Sequence, residues 1–89
     1  MSVIRVLKLK VLMTYRSDAP DSTFNTISFI EEYETENVSL DASLVEATQS
    51  VYLTAQESAM ARVNCYPYQV TDLQIYVLAD TQYEITGEL

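Results

Sequence analysis

The chain has 89 residues, 48% of them hydrophobic, with one glycine and two prolines, a composition that excludes disorder and suits one small domain, residues 1–89, with a modest core. Thirteen acids against five bases give a net charge of −8, which disfavours extended contact with phosphate backbones or anionic lipid. The absence of histidine removes every Ser-His and Cys-His nucleophile arrangement.

The charge is divided along the chain. Residues 1–16 carry +4 through Arg5, Lys8, Lys10 and Arg16, while residues 17–89 set thirteen acids against Arg62 alone and carry −12. The longest apolar run falls far short of the roughly 20 residues a membrane-crossing helix needs, and bases interrupt the N-terminal segment, so neither such a helix nor a signal peptide is expected. With one cysteine, Cys65, no internal disulfide can form, and the expected location is the cytoplasm or a virion.

Residues 3–16 alternate, with Val3, Leu7, Leu9, Val11, Met13 and Tyr15 on one face, Arg5 excepted, and Lys8, Lys10, Thr14 and Arg16 on the other. This predicts a long half-buried strand. Residues 17–22, rich in Ser, Asp and Pro, predict a turn. From Phe24 to Leu40 the pattern fits a strand, or a helix striped by Phe24, Ile27, Ile30 and Tyr33; the helix would crowd Glu31, Glu32, Glu34 and Glu36 at its C-terminal end, where the macrodipole disfavours negative charge. The strand is preferred. Folding it back about a turn centred near Asp21 sets Met13 by Phe29, Leu9 by Tyr33 and Tyr15 by Ile27, with Lys10 by Glu32 and Lys8 by Glu34 on the polar face. Glu31 then lies on the apolar face beside Val11.

Residues 41–63 are Ala-rich, lack Gly and Pro, and open with the capping-box pattern Ser43-Leu44-Val45-Glu46, which predicts a helix with a stripe of Leu40, Leu44, Ala47, Val51 and Ala55. A break at Val51-Tyr52-Leu53, followed by a second capping pattern from Thr54 to Glu57, is the alternative; one helix ending near Asn64, ahead of Pro67, is preferred. Residues 69–79 read as a strand buried on both sides, with Leu73, Ile75 and Val77 on one face and Val70, Tyr76 and Leu78 towards the other. A turn at residues 79–82 and a last strand over 82–86 or beyond would bring Tyr83 beside Leu78 and Ile85 beside Tyr76. The predicted fold is α+β, an antiparallel sheet of about four strands in the order β-β-α-β-β with one helix on one face. One helix covers one face only, so a strand apolar on both sides implies a curled sheet or a second subunit.

Known chemistries find little to hold. One Cys without His cannot bind zinc in the usual way, and the single Gly87 cannot build a phosphate cradle. Arg62 is the one cation near Cys65, and an inert, half-buried thiol is the preferred reading. Glu32, Glu34 and Glu36 share a strand face at about 7 Å spacing, open to Ca²⁺ or Mg²⁺ in principle, but a solvated or lysine-paired face explains them more simply. The sequon Asn37-Val38-Ser39 would matter only in a eukaryotic secretory setting. No catalytic, cofactor-binding or metal-binding residue is assigned, and no enzyme is expected.

Seven tyrosines are many for this length, and Tyr66-Pro67-Tyr68 is the most contact-like cluster. The candidate partner-binding residues are Glu31, Glu32, Glu34, Glu36, Tyr66, Tyr68 and Tyr76. Two functions fit. One is a non-enzymatic subunit of a homo- or hetero-oligomeric assembly, such as a viral particle, bound to protein partners and to itself. The other is an acidic inhibitor, for example a phage anti-defence protein, whose carboxylates occupy a partner's nucleic-acid surface. A nucleic-acid strip formed by Arg5, Lys8, Lys10 and Arg16 is a third, disfavoured because the hairpin already pairs Lys8 and Lys10 with glutamates.

Overall fold

The alternation of residues 3–16 becomes β1 (Ser2–Arg16) at the centre of a sheet, flanked by β2 (Phe24–Glu34) and β3 (Val70–Ile85), with α1 (Leu44–Val63) packed on one face. This computed structural model of the chain describes residues 2–17, 23–35 and 38–85. All pairings are antiparallel, the order is β2-β1-β3, and a short 3₁₀ turn (Pro67–Gln69) leads into β3. The fold is α+β, and among the described residues the sheet has three strands instead of about four.

The first hairpin forms with the predicted faces and a different register. Lys8 lies opposite Glu32, Val11 opposite Phe29, Met13 opposite Ile27 and Leu7 opposite Tyr33, each two positions from the expected partner. Lys10 faces Ile30, Glu34 faces Val6, and Glu31 sits beside Leu9 instead of Val11. The pairing is centred one residue earlier than the expected Asp21; residues 18–22 of that turn lie outside the described residues, while Ser17 N–H donates to Thr23 O at 2.8 Å across it. A shift of two residues keeps every side chain on its face, so the apolar pattern cannot choose between the two registers. β2 also ends at Glu34, short of Leu40, where the Thr35 N–H and hydroxyl both turn to Arg5 O, at 3.0 and 3.3 Å.

The helix is single and unbroken through Val51-Tyr52-Leu53. It begins at Leu44, after the predicted 41, because Ser43 caps it by accepting from Glu46 N–H at 3.2 Å. Asn64, left-handed at φ 54°, ends it with its N–H returned to Met60 O. Its buried side chains are Ala47, Val51, Ala55 and Ala59; Leu40 and Leu44 of the predicted stripe stay exposed. Alanines let the helix backbone settle directly on Leu7, Leu9, Val11 and Met13 of β1, all with no exposed area. With Tyr33 these residues form the buried core.

β3 corrects the sequence reading most. There is no turn at residues 79–82 and, among the described residues, no separate final strand: β3 runs unbroken for 16 residues beside β1, and the expected strand's residues from 86 on lie outside the described residues. A bulge places Val77 opposite Leu9 but Ala79 opposite Lys8, leaving Leu78 unpaired, so the turn-like run Ala79-Asp80-Thr81-Gln82 simply continues along β1 in the opposite phase. Nor is β3 buried on both sides. It is an edge strand, with Leu73, Ile75 and Val77 half-buried towards the helix side and Tyr76 and Leu78 about half exposed.

Candidate interaction surface

Two polar knots fix what is inside and what is left on the surface. Arg5 sits on the helix side of β1, and the bulge at Leu78 turns Asp80 to that same side. Arg5 Nε donates to Asp80 Oδ1 at 2.9 Å and Nη2 to Oδ2 at 2.7 Å, a two-pronged ion pair, while Nη1 donates to Ala42 O at 2.8 Å. The guanidinium thus joins β1, β3 and the segment leading into α1, and its hydrogen bonds hold the Asp80 carboxyl below its usual range. The sequence marked Arg5 as a member of the basic strip and as an exception on an apolar face. That exception was the usable signal, since a cation on a buried face needs a carboxylate partner.

The second knot satisfies Glu31. Its Oε2 accepts from the Tyr33 hydroxyl at 2.6 Å and from the Ser58 hydroxyl at 2.8 Å, and Arg62 approaches Oε1 at 3.4 Å while lying over the Phe29 ring at 3.9 Å. These bonds lower the Glu31 pKa, the Tyr33 bond most. Burial, and then the bond to Glu31, push the Tyr33 phenol from 10.0 up to about 12. A raised phenol pKa means that the fold favours the neutral form: the stabilisation is complete below pH 10 and is lost as pH rises through about 12. Denaturation midpoints measured from pH 9 to 12 are expected to fall more steeply for the native chain than for Tyr33→Phe; parallel curves would show that Tyr33 is not the group responsible.

The predicted partner-binding residues are not gathered in one place. Glu31 is drawn into the helix side, Glu32 and Glu34 are exposed on the other face of β2, and Glu36 lies outside the described residues. Tyr76 shares that open face, with Lys10 beside it on β1 and Ile30 beyond on β2. Tyr66 and Tyr68 stack with centroids 5.7 Å apart and remain 61% and 73% exposed, near the Arg16 end of the sheet. Gln69 holds them there: buried beneath, its Oε1 accepts from Tyr66 N–H at 2.7 Å and its Nε2 donates to Arg16 O at 2.9 Å.

The basic strip is also divided. Arg5 is internal, Lys8 and Lys10 are exposed on the open face, and Arg16 lies 5.8 Å over the Phe24 ring. Lys8 faces Glu32 across the hairpin, yet among the described residues the ion pairs within 4 Å are Arg5–Asp80 and Arg62–Glu31.

Two surfaces are left uncovered. The first is the open face of the sheet, which exposes Phe24, Ile30, Tyr76, Leu78 and Tyr83. The second is a flank. The helix lies closest to β1 and β2, and between it and β3 is a hollow of about 300 Å³ lined by Leu44, Val45, Thr48, Gln49, Tyr52 and Val77. Val45, Tyr52 and the neighbouring Leu53 are exposed apolar residues off the helix's buried stripe, a signal present in the sequence and not used. A smaller hollow of about 220 Å³ on the β2 side is polar, with Glu32, Glu34, Ser50 and Thr54 in its wall.

Among the described residues no group of three His, Cys, Asp or Glu converges as metal ligands, and no helix is long and apolar enough to cross a membrane. Cys65 is half-buried, and burial raises its pKa, which lowers its thiolate fraction at neutral pH. No known family model, curated protein or solved structure matches the chain.

Proposed function

We propose that this protein is a non-enzymatic structural subunit of a larger assembly, held in place by protein–protein contacts. The observation that carries the reading is the one-sided cover of the sheet: α1 shields one face of β1 and β2, while the opposite face and the β3 flank expose large apolar side chains. Contiguous exposed apolar surface rimmed by polar groups marks interaction sites. Tyr76 and Tyr83, each a large ring with a polar tip, are residue types favoured at such contacts. The reading is preferred to a phosphate-mimicking inhibitor because Glu31 is held by internal partners and because Glu32 and Glu34 share their face with Lys8 and Lys10.

Salt separates the two functions. At −8 per copy, like subunits repel, so self-assembly seen by light scattering at micromolar concentration is expected to strengthen as salt rises, whereas an acidic inhibitor's grip on a basic partner weakens. A chain that stays monomeric at every ionic strength and co-purifies with no protein from its source would overturn the subunit reading.

A further inference from the structure

We infer that two copies of this chain join edge to edge through β3, antiparallel about a two-fold axis near Ile75, in one continuous six-stranded sheet with both helices on the same face. This rests on the subunit reading and names its partner.

The first reason is the state of the edge. β1 uses one side of β3, and among the described residues no strand pairs with its other side. Soluble proteins blunt such edges with lysine, proline, bulges or brevity. β3 is 16 residues long and contains no Lys, Arg or Pro. Its two irregularities against β1 lie at the Val70–Asp72 end and at Leu78, so the segment between them, residues 73–77, is a regular strand.

The second reason is charge. Copies that each carry −8 can meet only where no carboxylate faces another, and residues 73–79 form an uncharged stretch. Pairing about Ile75 sets Leu73 opposite the other copy's Val77 and Gln74 opposite its Tyr76. Asp72 then falls opposite Leu78, and Asp80 opposite Val70. Apolar residues of the helix side therefore meet apolar residues of the helix side, as antiparallel pairing requires.

The third reason is the flank beside the edge. The two-fold that pairs β3 sets the second helix on the same face, across the paired strands from Leu44, Val45, Tyr52 and Val77, so that the hollow over β3 opens onto the joint. Pairing over residues 70–80 runs about 36 Å at 3.3 Å per residue, and with a smallest dimension of 20 Å the contact comes to about 700 Å² per partner, close to the about 800 Å² of a standard interface. A small ligand is a poorer occupant: the Thr48 hydroxyl is committed to Leu44 O at 2.7 Å, which leaves the Gln49 amide and the Tyr52 hydroxyl as the polar side-chain groups in an otherwise apolar lining to orient it.

The test is a pair of spin-label distances read together with mass by light scattering, in a Cys65→Ser background that removes the native thiol. Labels on Gln74→Cys are expected within about 20 Å of each other between copies, and labels on Thr26→Cys, on the far edge, at about 30 Å, from strand spacings of about 4.8 Å across and 3.3 Å along. A dimer with distant 74 labels or close 26 labels overturns the β3 edge and leaves the subunit reading standing. A monomer that co-purifies with another protein also overturns the edge pairing alone. A monomer without a companion overturns both.

Discussion

Asp80→Ala is expected to lower the thermal midpoint by roughly 10 °C or more, the largest effect of any single carboxylate removal in this chain. The carboxylate bonds Arg5 through two prongs at 2.9 and 2.7 Å, and the Arg5 side chain retains only 6% of its exposure. Without Asp80 the guanidinium keeps the Ala42 carbonyl as its remaining side-chain contact and stays out of water as an uncompensated charge. The reverse deletion is milder. In Arg5→Met the orphaned Asp80, at 31% exposure, can be hydrated in place. The double variant Arg5→Met with Asp80→Leu, which removes both charges, is expected to recover much of the loss. Because Asp80 titrates below its ordinary 3.8, the ion pair's contribution is present above that pH and is lost as pH falls through the lowered value. Melting curves of the three variants at pH 7 and pH 3 check this; a midpoint shift under about 3 °C for Asp80→Ala would show that the pair does not hold β3 in place.

Leu9→Ala is the second large effect, expected to cost about 2–5 kcal/mol out of the roughly 4–13 kcal/mol available to a chain of this length. Leu9 is fully buried at the middle of β1, and the helix above presents Ala47, Ala55 and Ala59, which have no atoms to swing into the space. Val51 is the one larger buried residue on that side. The cavity therefore persists, and the cost belongs at the upper end of the range. Leu53→Ala, on the same helix but 56% exposed, is the control and should stay within about 0.5 kcal/mol. Urea denaturation compares them directly, and equal midpoints would disprove this account of the core.

Several parts of this structure were legible from short-range pattern. The two faces of β1 follow from period-two alternation, the helix from its alanine content and the Ser43 cap, and its end from Asn64 ahead of Pro67. Alternation along β2 already set Glu31 on the apolar face and Glu32 on the polar one, but not what a carboxylate on the apolar face would meet. Glu31 finds Tyr33, Ser58 and Arg62, which come from β2 and from the distant helix, while Glu32 stays exposed across from Lys8. The uncovered flank was hidden for a different reason. The apolar pattern of β3 shows that both sides can be buried, and only the position of α1 over β1 and β2 shows which side is not.

Short-range pattern carries which residues share a face, where the helix is capped, and how small the core must be. Periodicity and capping act over a few residues and need no partner. The tertiary structure decided the rest. A hairpin register shifted by two preserves every face, so the apolar pattern alone did not select it. A bulge at Leu78 reverses the phase of β3, and the length of β1 available for pairing turned an expected hairpin into one strand. That reversal brings Asp80 to Arg5, 75 residues away along the chain, and leaves residues 73–79 as the uncharged part of the β3 edge.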